Sequence, residues 1–360
     1  MLEKTRSFFR TILIVANLCV IVAYLLVCVL PYANTGKHWY FAFPGLVFPL
    51  VLFTLICFII LWAVLRSRWF WISLIVMCAG TQQILSVLSF RLPQEFSYEK
   101  PPATLRVMEW NVEAWEHTQE MMEVVKAQNA DILCFEEYAD IRKLEDPHST
   151  TSVIMKMGYP YYLFAKTKDL YSDEIRGVVI FSKYPILDSS VVSYGAHTQA
   201  EHLISIDIRP ADKTFRIFTT HLQSVRFGPS DYGSLSRMKR ARDPGYRDSR
   251  TIVSKLKTGY EQRYLQAQIV KQKIAESPYP AIITGDFNDV PNSNTYFTIK
   301  GNMQDAFLKK GYWIGRTFRF ISPTLRIDYI LADKKFKVDQ FKVIHVPYSD
   351  HFPIVADLQY

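Results

Sequence analysis

Residues 131–137 read Asp-Ile-Leu-Cys-Phe-Glu-Glu, a short apolar run that ends in two carboxylates. A run of this length is typical of a buried strand, and its polar end predicts that the chain reaches the edge of a sheet there. Residues 104–110 are also predicted to be a short buried strand, which is followed by Asn111, and the spacing of apolar residues predicts a helix over 118–128 between the two strands. A strand, a helix and a second strand in this order predict an α/β domain.

Further apolar runs continue this pattern along the rest of the chain. They lie at 177–181, 203–208, 215–220, 281–284, 327–331 and 354–358. Each has polar or ionisable residues next to it, and no repeat with a period of about 20 to 50 residues occurs, which argues against solenoids and propellers. Residues 104–360 are therefore predicted to form one large α/β domain with many strands.

The composition of the chain is uneven. Apolar residues make up 49% of it and five of its 360 residues are cysteine, which excludes a disordered chain and a disulfide scaffold. The first 92 residues hold seven Lys or Arg and one acid, so the formal net charge of +8 divides into +6 before residue 93 and +2 after it. Apolar residues are concentrated in the same part, which excludes a wholly soluble protein.

Residues 1–92 are predicted to be a transmembrane anchor of two to three helices. A helix of about 20 apolar residues crosses a hydrocarbon core of roughly 30 Å. Three runs have about this length, and they lie at 11–30, 39–65 and 69–90. The third carries five polar side chains in its second half, so it either spans or lies in the interface. Residues 93–103 contain three prolines and are predicted to be an extended linker.

The positive charges of the anchor predict its orientation. Three Lys or Arg residues precede the first run, one lies between the first and second, and two lie between the second and third. Because positive residues stay preferentially in the cytoplasm, the N-terminus is predicted to be cytoplasmic. Three spans place the domain outside the cytoplasm, whereas two spans leave it inside. Four cysteines lie in the apolar runs and only Cys134 lies in the domain, so no disulfide is expected within it.

Residues 224–263 form a basic segment that is predicted to be an insertion in the domain. It holds ten Lys or Arg, four acids and three tyrosines, a net charge of +6. A basic, aromatic loop of this kind either binds a polyanion or a phospholipid surface or is simply solvated.

Polar side chains follow or precede most of the predicted strands. They are Asn111, Glu136, Glu137, His221, Asp286, Asn288, Asp328, Asp350 and His351. Each alone is an ordinary turn or cap residue, but side chains at one edge of a sheet can converge on a cleft. Oxygen ligands suit hard divalent cations, while the sequence has no paired His or Cys spacing for zinc, no glycine-rich phosphate loop and no nucleophile elbow. The residues by themselves favour a metal-assisted hydrolase.

Seven segments also resemble, in the same order, motifs of the endonuclease/exonuclease/phosphatase superfamily. They are Glu-Trp-Asn-Val at 109–112, Asp-Ile-Leu-Cys-Phe-Glu-Glu at 131–137, Gly-Val-Val-Ile-Phe-Ser-Lys-Tyr-Pro-Ile at 177–186, Thr-His-Leu at 220–222, Gly-Asp-Phe-Asn at 285–288, Ile-Asp-Tyr-Ile at 327–330 and Ser-Asp-His-Phe-Pro at 349–353. The resemblance covers 104–360 and none of the anchor. It implies a DNase I-like fold, a two-layered β-sandwich flanked by helices, with the cleft at one end of the sheets.

The resemblance also implies a metal site. Glu137 is the implied principal carboxylate ligand of Mg²⁺, or of Mn²⁺ in its place. Asn111 is implied to help hold the metal and a phosphate oxygen, and Asp350 to assist the metal or the water. One departure stands next to this site, because Glu136 occupies a position where the family usually has Gln. That carboxylate either raises the affinity for the metal or points away from it.

The remaining implied roles are catalytic. Asp286 orients or deprotonates the attacking water, and Asn288 binds the phosphate beside it. His351 donates to a non-bridging oxygen with its ring oriented by Asp328, and His221 faces the phosphate from the other side. Arginines could contact the phosphate as well, or form surface salt bridges, and the candidates are Arg176, Arg263 and Arg326.

These observations predict a membrane-anchored, Mg²⁺-dependent phosphoesterase in which water attacks phosphorus directly. Its substrate is a nucleic acid tracked by the basic segment, or a phospholipid head group as in a sphingomyelinase-like hydrolase, and the lipid bilayer is its other partner. Protein partners are not predicted. The alternative from another class is a silent binding protein on the same fold, which the presence of all the implied catalytic residues disfavours.

Overall fold

A computed structural model of the chain describes residues 2–140, 149–168, 175–195, 202–225, 246–320 and 322–360. The described helices are α1 (Leu2–Val29), α2 (Phe43–Val64), α3 (Trp69–Ala79), α4 (Thr81–Val87), α5 (Thr118–Gln128), α6 (Thr150–Lys156), α7 (Tyr246–Ala275), α8 (Asn294–Lys300) and α9 (Ala306–Lys310). The strands are β1 (Thr104–Asn111), β2 (Ile132–Asp140), β3 (Tyr161–Lys168), β4 (Ile175–Ser182), β5 (Ile186–Val192), β6 (Leu203–Ile208), β7 (Phe215–His221), β8 (Ala281–Asp286), β9 (Gln304–Asp305), β10 (Asp328–Ala332), β11 (Lys337–Val343) and β12 (Ile354–Gln359).

The strands form two mixed sheets of six strands each. The order in the first is β11-β12-β1-β2-β4-β3, and in the second β5-β6-β7-β8-β10-β9. One parallel pair lies at the centre of each sheet, β1 with β2 and β7 with β8, and the neighbouring strands are antiparallel to it. The two halves of the domain therefore repeat one arrangement, with matching strand ends at one edge.

The core lies between the two sheets, and it is apolar because alternate residues of the central strands face inward. In β1, Leu105 and Val107 belong to this inner cluster, whereas Met108 and Trp110 belong to a second cluster on the outer face of the sheet. Helix α5 contributes to that outer cluster, and α7 and α8 cover the outer face of the other sheet. Both faces of β1 are thus buried, and so are the two charged side chains within it, Arg106 and Glu109.

The two-layered sandwich predicted from the sequence is confirmed, and the predicted helix over 118–128 has those bounds. Strands β3, β5 and β11 were not predicted, since their sequences are partly polar and each lies at or next to a sheet edge. The predicted basic loop is wrong in its second half, because α7 begins at Tyr246 and runs through Arg263. Of the basic segment, residues 226–245 lie outside the described part of the chain.

Two anchor helices are long and apolar enough to cross a membrane, Thr5–Tyr32 and Trp39–Val64, each counted with its adjoining 3-10 turn. The third predicted span is divided into α3 and α4, which meet at an angle of 62° and could together make one more span. The bend lies at Gly80, where a side chain would overlap the Tyr24 hydroxyl. That hydroxyl donates to the Met77 carbonyl at 3.0 Å, and the same carbonyl accepts the Gly80 backbone N–H at 3.1 Å, so it keeps partners at the break.

The anchor packs directly on the sandwich. Asn292 Nδ2 donates to the Val27 carbonyl at 3.1 Å, and Asn294 Nδ2 donates to the Pro31 and Ala33 carbonyls at 3.0 and 3.1 Å. These acceptors lie at the end of α1 and just beyond it, where helix carbonyls lack partners of their own. The domain therefore donates to one carbonyl in the last turn of α1 and to two carbonyls just beyond it.

A second contact joins the end of α4 to the domain. Arg326 Nη2 donates to the Ser86 carbonyl at 2.6 Å, and its Nη1 lies 3.0 Å from Oδ2 of Asp305. Ser89 and Trp313 exchange backbone hydrogen bonds of 2.8 and 3.0 Å. Residues 93–103, predicted as an extended linker, lack regular helix or strand, but Ser97 and Arg106 tie them to β1 through a bond of 2.9 Å.

Gly285→Ala is expected to destabilise the fold more than a glycine substitution in open space. Gly285 has a φ of +135°, and a Cβ there would overlap the Thr220 carbonyl oxygen of the parallel strand β7. The left-handed backbone and the overlap together should lower the free energy of unfolding by about 2–4 kcal/mol. The control is Gly158→Ala, with a φ of +100° and nothing nearby, where about 1 kcal/mol is expected. Urea unfolding of the detergent-solubilised full chain measures both, and equal losses would contradict the overlap argument.

Candidate active site

Six strand ends meet at one edge of the sandwich and carry most of the polar residues singled out in the sequence. Because β1 and β2 are parallel, Asn111 and Glu137 reach the same edge, and β7 and β8 bring His221 and Asp286 there in the same way. The antiparallel strands β10 and β12 begin at this edge, with Asp328 as the first residue of β10 and Asp350 and His351 just before β12. The predicted convergence is thus a feature of the topology.

A β-bulge separates the two carboxylates of β2. The register with β4 shifts between Phe135 and Tyr138, and Glu137 has a φ of +48°. The extra residue turns Glu136 between the sheets, where it is fully buried and Thr219 Oγ1 donates to it at 2.6 Å. Glu137 is left at the cleft with a side chain 36% exposed. Of the two alternatives stated for Glu136, the structure therefore supports the one in which it points away.

The Asp286 carboxylate is the hub of the site. It is 1% exposed, and its Oδ2 accepts hydrogen bonds from Asn111 Nδ2 at 3.3 Å and from Asn288 Nδ2 at 3.1 Å. The Nε2 atoms of His221 and His351 lie 3.5 and 3.7 Å from the same oxygen. Burial raises the pKa of Asp286 to about 6, against the opposing effect of the two imidazoles. Such a carboxyl group titrates close to neutral pH, as a general base should.

His351 and Asp328 form a buried pair. His351 Nδ1 lies 2.9 and 3.0 Å from the two oxygens of Asp328, which fixes the ring and turns Nε2 toward Asp286. Burial alone would lower the pKa of His351, but the charges of Asp328 and Asp286 outweigh it and raise the pKa well above the ordinary value. The imidazole is therefore held as a cation able to donate from Nε2 to an anionic group.

Two partly exposed carboxylates, those of Glu137 and Asp350, lie on the open side of the hub. Asn111 Nδ2 lies 3.4 Å from Glu137 Oε1, and Asp350 Oδ1 lies 3.8 Å from His351 Nε2. Burial, and repulsion from Glu137 and Asp328, raise the pKa of Asp350. Carboxylates that repel one another in this way would be relieved by a divalent cation, and the donors are the oxygen type that Mg²⁺ prefers. The residues present fit such an ion.

A tighter group of potential ligands lies within the described residues but suits a different role. One atom each of Asp286, Asp328 and His351 fall within 4.8 Å of one another. The Nδ1 of His351 is within hydrogen-bonding distance of Asp328, so both atoms are engaged with each other. This arrangement is a proton-sharing pair next to a carboxylate, and the exposed carboxylate of Glu137 is better placed for a hydrated metal ion.

Two of the three arginines suggested as phosphate contacts serve packing instead. Arg263 is 1% exposed, donates from Nη1 to the Gln223 carbonyl at 2.7 Å and stacks on Tyr260. Arg326 is equally buried and pairs with Asp305. Their guanidinium groups are thus held inside the protein, which argues against the expected contact with substrate. Arg176 pairs in register with Ala139, beyond Glu137 at the same edge, and stays a prediction.

Several supporting residues were missed in the sequence. Ser349 Oγ donates to the Asn111 carbonyl at 2.8 Å, and Glu113 accepts from the Asp350 backbone at 2.9 Å. Thr317 Oγ1 accepts from the Asp328 backbone at 3.2 Å, and the Phe318 ring lies 5.0 Å from that of His351. Ser349 is the first residue of the quoted motif at 349–353, although no role was assigned to it. Residues 317–318 come from an irregular segment whose sequence has no motif.

Comparison with known proteins agrees with this geometry. The model of the Endonuclease/Exonuclease/phosphatase family matches residues 108–351, and that of a domain of unknown function matches residues 10–87. No curated protein sequence matches the chain.

The solved structures that share the fold include two family proteins. An endonuclease/exonuclease/phosphatase from Beutenbergia cavernae DSM 12333 is similar with a TM-score of 0.52 and 20% identity, over 71% of this chain and 72% of that one. A family protein from Leptotrichia buccalis C-1013-b is similar with a TM-score of 0.50 and 16% identity, over 71% of this chain and all of that one.

Glu136→Gln is expected to stabilise the metal-free protein increasingly as pH rises from 5 to 8. Burial raises the pKa of Glu136 from 4.5 to about 8, so between these values the unfolded chain releases a proton that the folded chain keeps. Stability therefore falls with rising pH in the parent, by at most about 1.4 kcal/mol per unit from this group, and Gln removes that loss. Urea unfolding in EDTA measures it. The exposed carboxylate variant Glu123→Gln is the control, and an advantage independent of pH would contradict the argument.

Proposed function

Because the chain belongs to the endonuclease/exonuclease/phosphatase family, we propose that it is a metal-dependent hydrolase of phosphate esters, held at a membrane by its N-terminal helices. Members of this family are generally phosphoester hydrolases that use divalent metals. The observation that carries the proposal is the Asp286 carboxylate with two imidazoles within 3.7 Å and two amide donors on one oxygen. Burying this group of ionisable side chains costs free energy, and a binding protein without catalytic activity would have no use for it.

The metal site of the proposal consists of Glu137, Asp350 and Asn111. Glu137 is the main ligand because its side chain is partly exposed, which leaves room for the waters that Mg²⁺ retains. Mn²⁺ is an alternative ion for the same oxygen donors. When bound, the ion neutralises charge on the phosphate and stabilises the charge that develops in the transition state.

The protein's own residues then divide the remaining work. Asp286 accepts a proton from the attacking water, and Asn288 fixes the orientation of that carboxylate through its backbone N–H at 2.8 Å and its amide. His351, held as a cation by Asp328, donates from Nε2 to a non-bridging phosphate oxygen. His221 lies on the other side of Asp286 and stabilises the developing charge from there.

Asp286→Asn is expected to reduce turnover of bis(p-nitrophenyl) phosphate by about 10³-fold, because the amide cannot accept a proton from water. His351→Ala is expected to reduce it by about 10²–10³-fold through loss of the donor. Glu137→Gln should instead raise the Mg²⁺ concentration needed for half-maximal rate by at least about tenfold.

The matched control is Asp212→Asn, an exposed carboxylate in the turn between β6 and β7 at the opposite edge of the sheet. It should keep the parent rate. Turnover that survives in both Asp286→Asn and His351→Ala, or that is unaffected by EDTA, would refute the proposed mechanism.

The proposal includes a membrane topology. Residue 33, after the first anchor helix, and residue 89, after the bent third segment, both contact the catalytic domain. If the three segments cross, the N-terminus and the turn at 65–68 lie on the far side. Five Lys or Arg residues would then be on that side and two on the domain side, and the positive-inside bias makes the far side the cytoplasm.

Impermeant thiol labelling of intact cells tests this topology. Lys37→Cys is expected to be labelled from outside, whereas Ser67→Cys should react only after the membrane is permeabilised. Both residues are on short connections between apolar helices, so each reports one side. Labelling of Ser67→Cys from outside would reverse the assignment, and labelling of both or neither would exclude a three-span arrangement.

A further inference from the structure

One segment of the domain connects the membrane anchor to the catalytic histidine. Residues 311–320, named the strap here, pair with Ser89 through Trp313 and reach His351 through Phe318, whose rings are 5.0 Å apart. The Phe352 backbone N–H also donates to the Thr317 carbonyl at 2.7 Å. Five residues span at most about 18 Å in extended form. The catalytic histidine therefore lies close to the point where the anchor ends.

The strap is held in place by close packing and hydrogen bonds. Gly311 and Gly315 lie so close to the Phe307 ring that a side chain on either would overlap it, and Gly315 has a φ of +65°. Arg326 stacks over the same ring, with Cζ 4.1 Å from its centroid. Thr317 Oγ1 accepts the backbone N–H of Ile327 at 3.0 Å. These contacts fix the position of the site relative to the anchor.

A second loop of the site also rests on the anchor. The chain continues from Asn288 to Asn292, which donates to the Val27 carbonyl at the end of α1. Phe43, at the start of α2, packs edge-on against Tyr260 at 5.5 Å between ring centroids. Loops from both halves of the site thus meet the anchor at the domain end of its helices. The edge of the sandwich that carries the site is therefore the edge that contacts the anchor.

The outward face of the strap is aromatic and unusually exposed. Tyr312 is 55% exposed, Trp313 54% and Phe320 51%, and beside them the anchor exit offers Phe90 at 66% and Leu92 at 81%. Exposed apolar patches rimmed by polar residues mark binding surfaces. The arginines in and next to this patch are Arg91, Arg316 and Arg319. Aromatic rings and arginines beside an anchor helix are typical of protein segments that lie in the lipid head-group region.

We propose that the strap face lies in the head-group layer of the bilayer and that the substrate is a phosphate ester of a lipid in the same membrane; the second statement rests on the proposed function. The patch is continuous with the anchor through the Ser89–Trp313 pairing, so its occupant is the bilayer surface. A lipid reaches the cleft by moving within the membrane plane.

Fluorescence quenching tests the surface without any substrate. The full chain is placed in phosphatidylcholine nanodiscs whose acyl chains are brominated near the head group, and the parent is compared with Trp313→Phe. We expect the parent to lose a larger fraction of its tryptophan emission than the variant, because Trp313 lies within reach of the bromines. Equal quenching of the two proteins would overturn the proposed surface.

Hydrolysis tests the substrate class. Phosphatidylcholine nanodiscs containing sphingomyelin, phosphatidylethanolamine and phosphatidylglycerol are compared with a single-stranded DNA oligonucleotide and with bis(p-nitrophenyl) phosphate. We expect release from at least one lipid. Trp313→Glu and, separately, Phe320→Glu should reduce lipid hydrolysis at least tenfold while turnover of the soluble diester changes less than twofold. Tyr279→Glu, an exposed tyrosine just before β8 at the opposite edge, should leave both rates unchanged.

The outcomes separate the two proposals. Cleavage of DNA or of the soluble diester without cleavage of any lipid would overturn the lipid substrate and leave the hydrolase intact. Equal losses on lipid and soluble diester in both strap variants would overturn the role of the strap. Failure to hydrolyse any of the lipids, the oligonucleotide or the soluble diester with Mg²⁺ or Mn²⁺ would refute the proposed function, while the quenching result would still decide whether the strap contacts the bilayer.

Discussion

The Asp286 carboxylate, buried where the ends of the two sheets meet, is the constraint on which the rest of the site depends. A buried charge is costly unless other groups compensate it, and here Asn111, Asn288, His221 and His351 supply the compensation around one oxygen. Those partners come from both sheets, so the site exists only when the sheets are packed in register. The inner apolar core and the catalytic geometry are therefore parts of one folding requirement.

The sequence was sufficient to predict the architecture of the domain because two local features indicate it, the apolar strands and their polar ends. Central strands with two buried faces, such as β8, are apolar for most of their length, and their polar ends mark where they reach the edge. The convergence of Asp286, His351 and Glu137 followed from the order of motifs rather than from spacing. Edge strands such as β5 have exposed, partly polar sequences, and nothing local distinguishes them from loops.

The sequence could not predict the direction in which individual side chains point, and several roles in the site depend on that direction. Glu136 and Glu137 are adjacent, and only the bulge in β2 decides that one enters the core and the other the cleft. In the sequence, Arg263 and Arg326 cannot be distinguished from arginines that bind phosphate. In the structure, each is buried by elements that are distant in sequence. Phe318 supports His351 from an irregular segment, so its role depends entirely on tertiary structure.

The contact between anchor and domain shows why these two parts act as one unit. An α-helix ends with carbonyl groups that have no partner within it, and at an interface they need donors from elsewhere. Asn292 and Asn294 provide these donors to Val27, Pro31 and Ala33, while Arg326 serves Ser86 at the end of the third segment. Each buried group left without its partner would cost about 1–3 kcal/mol of free energy. Separating the anchor from the domain would leave such groups on both surfaces. Because Arg326 lies two residues before Asp328 and Asn292 four residues after Asn288, the same contacts that satisfy the anchor also hold the catalytic loops. The anchor and the candidate active site are thus joined through the backbone rather than through a flexible tether.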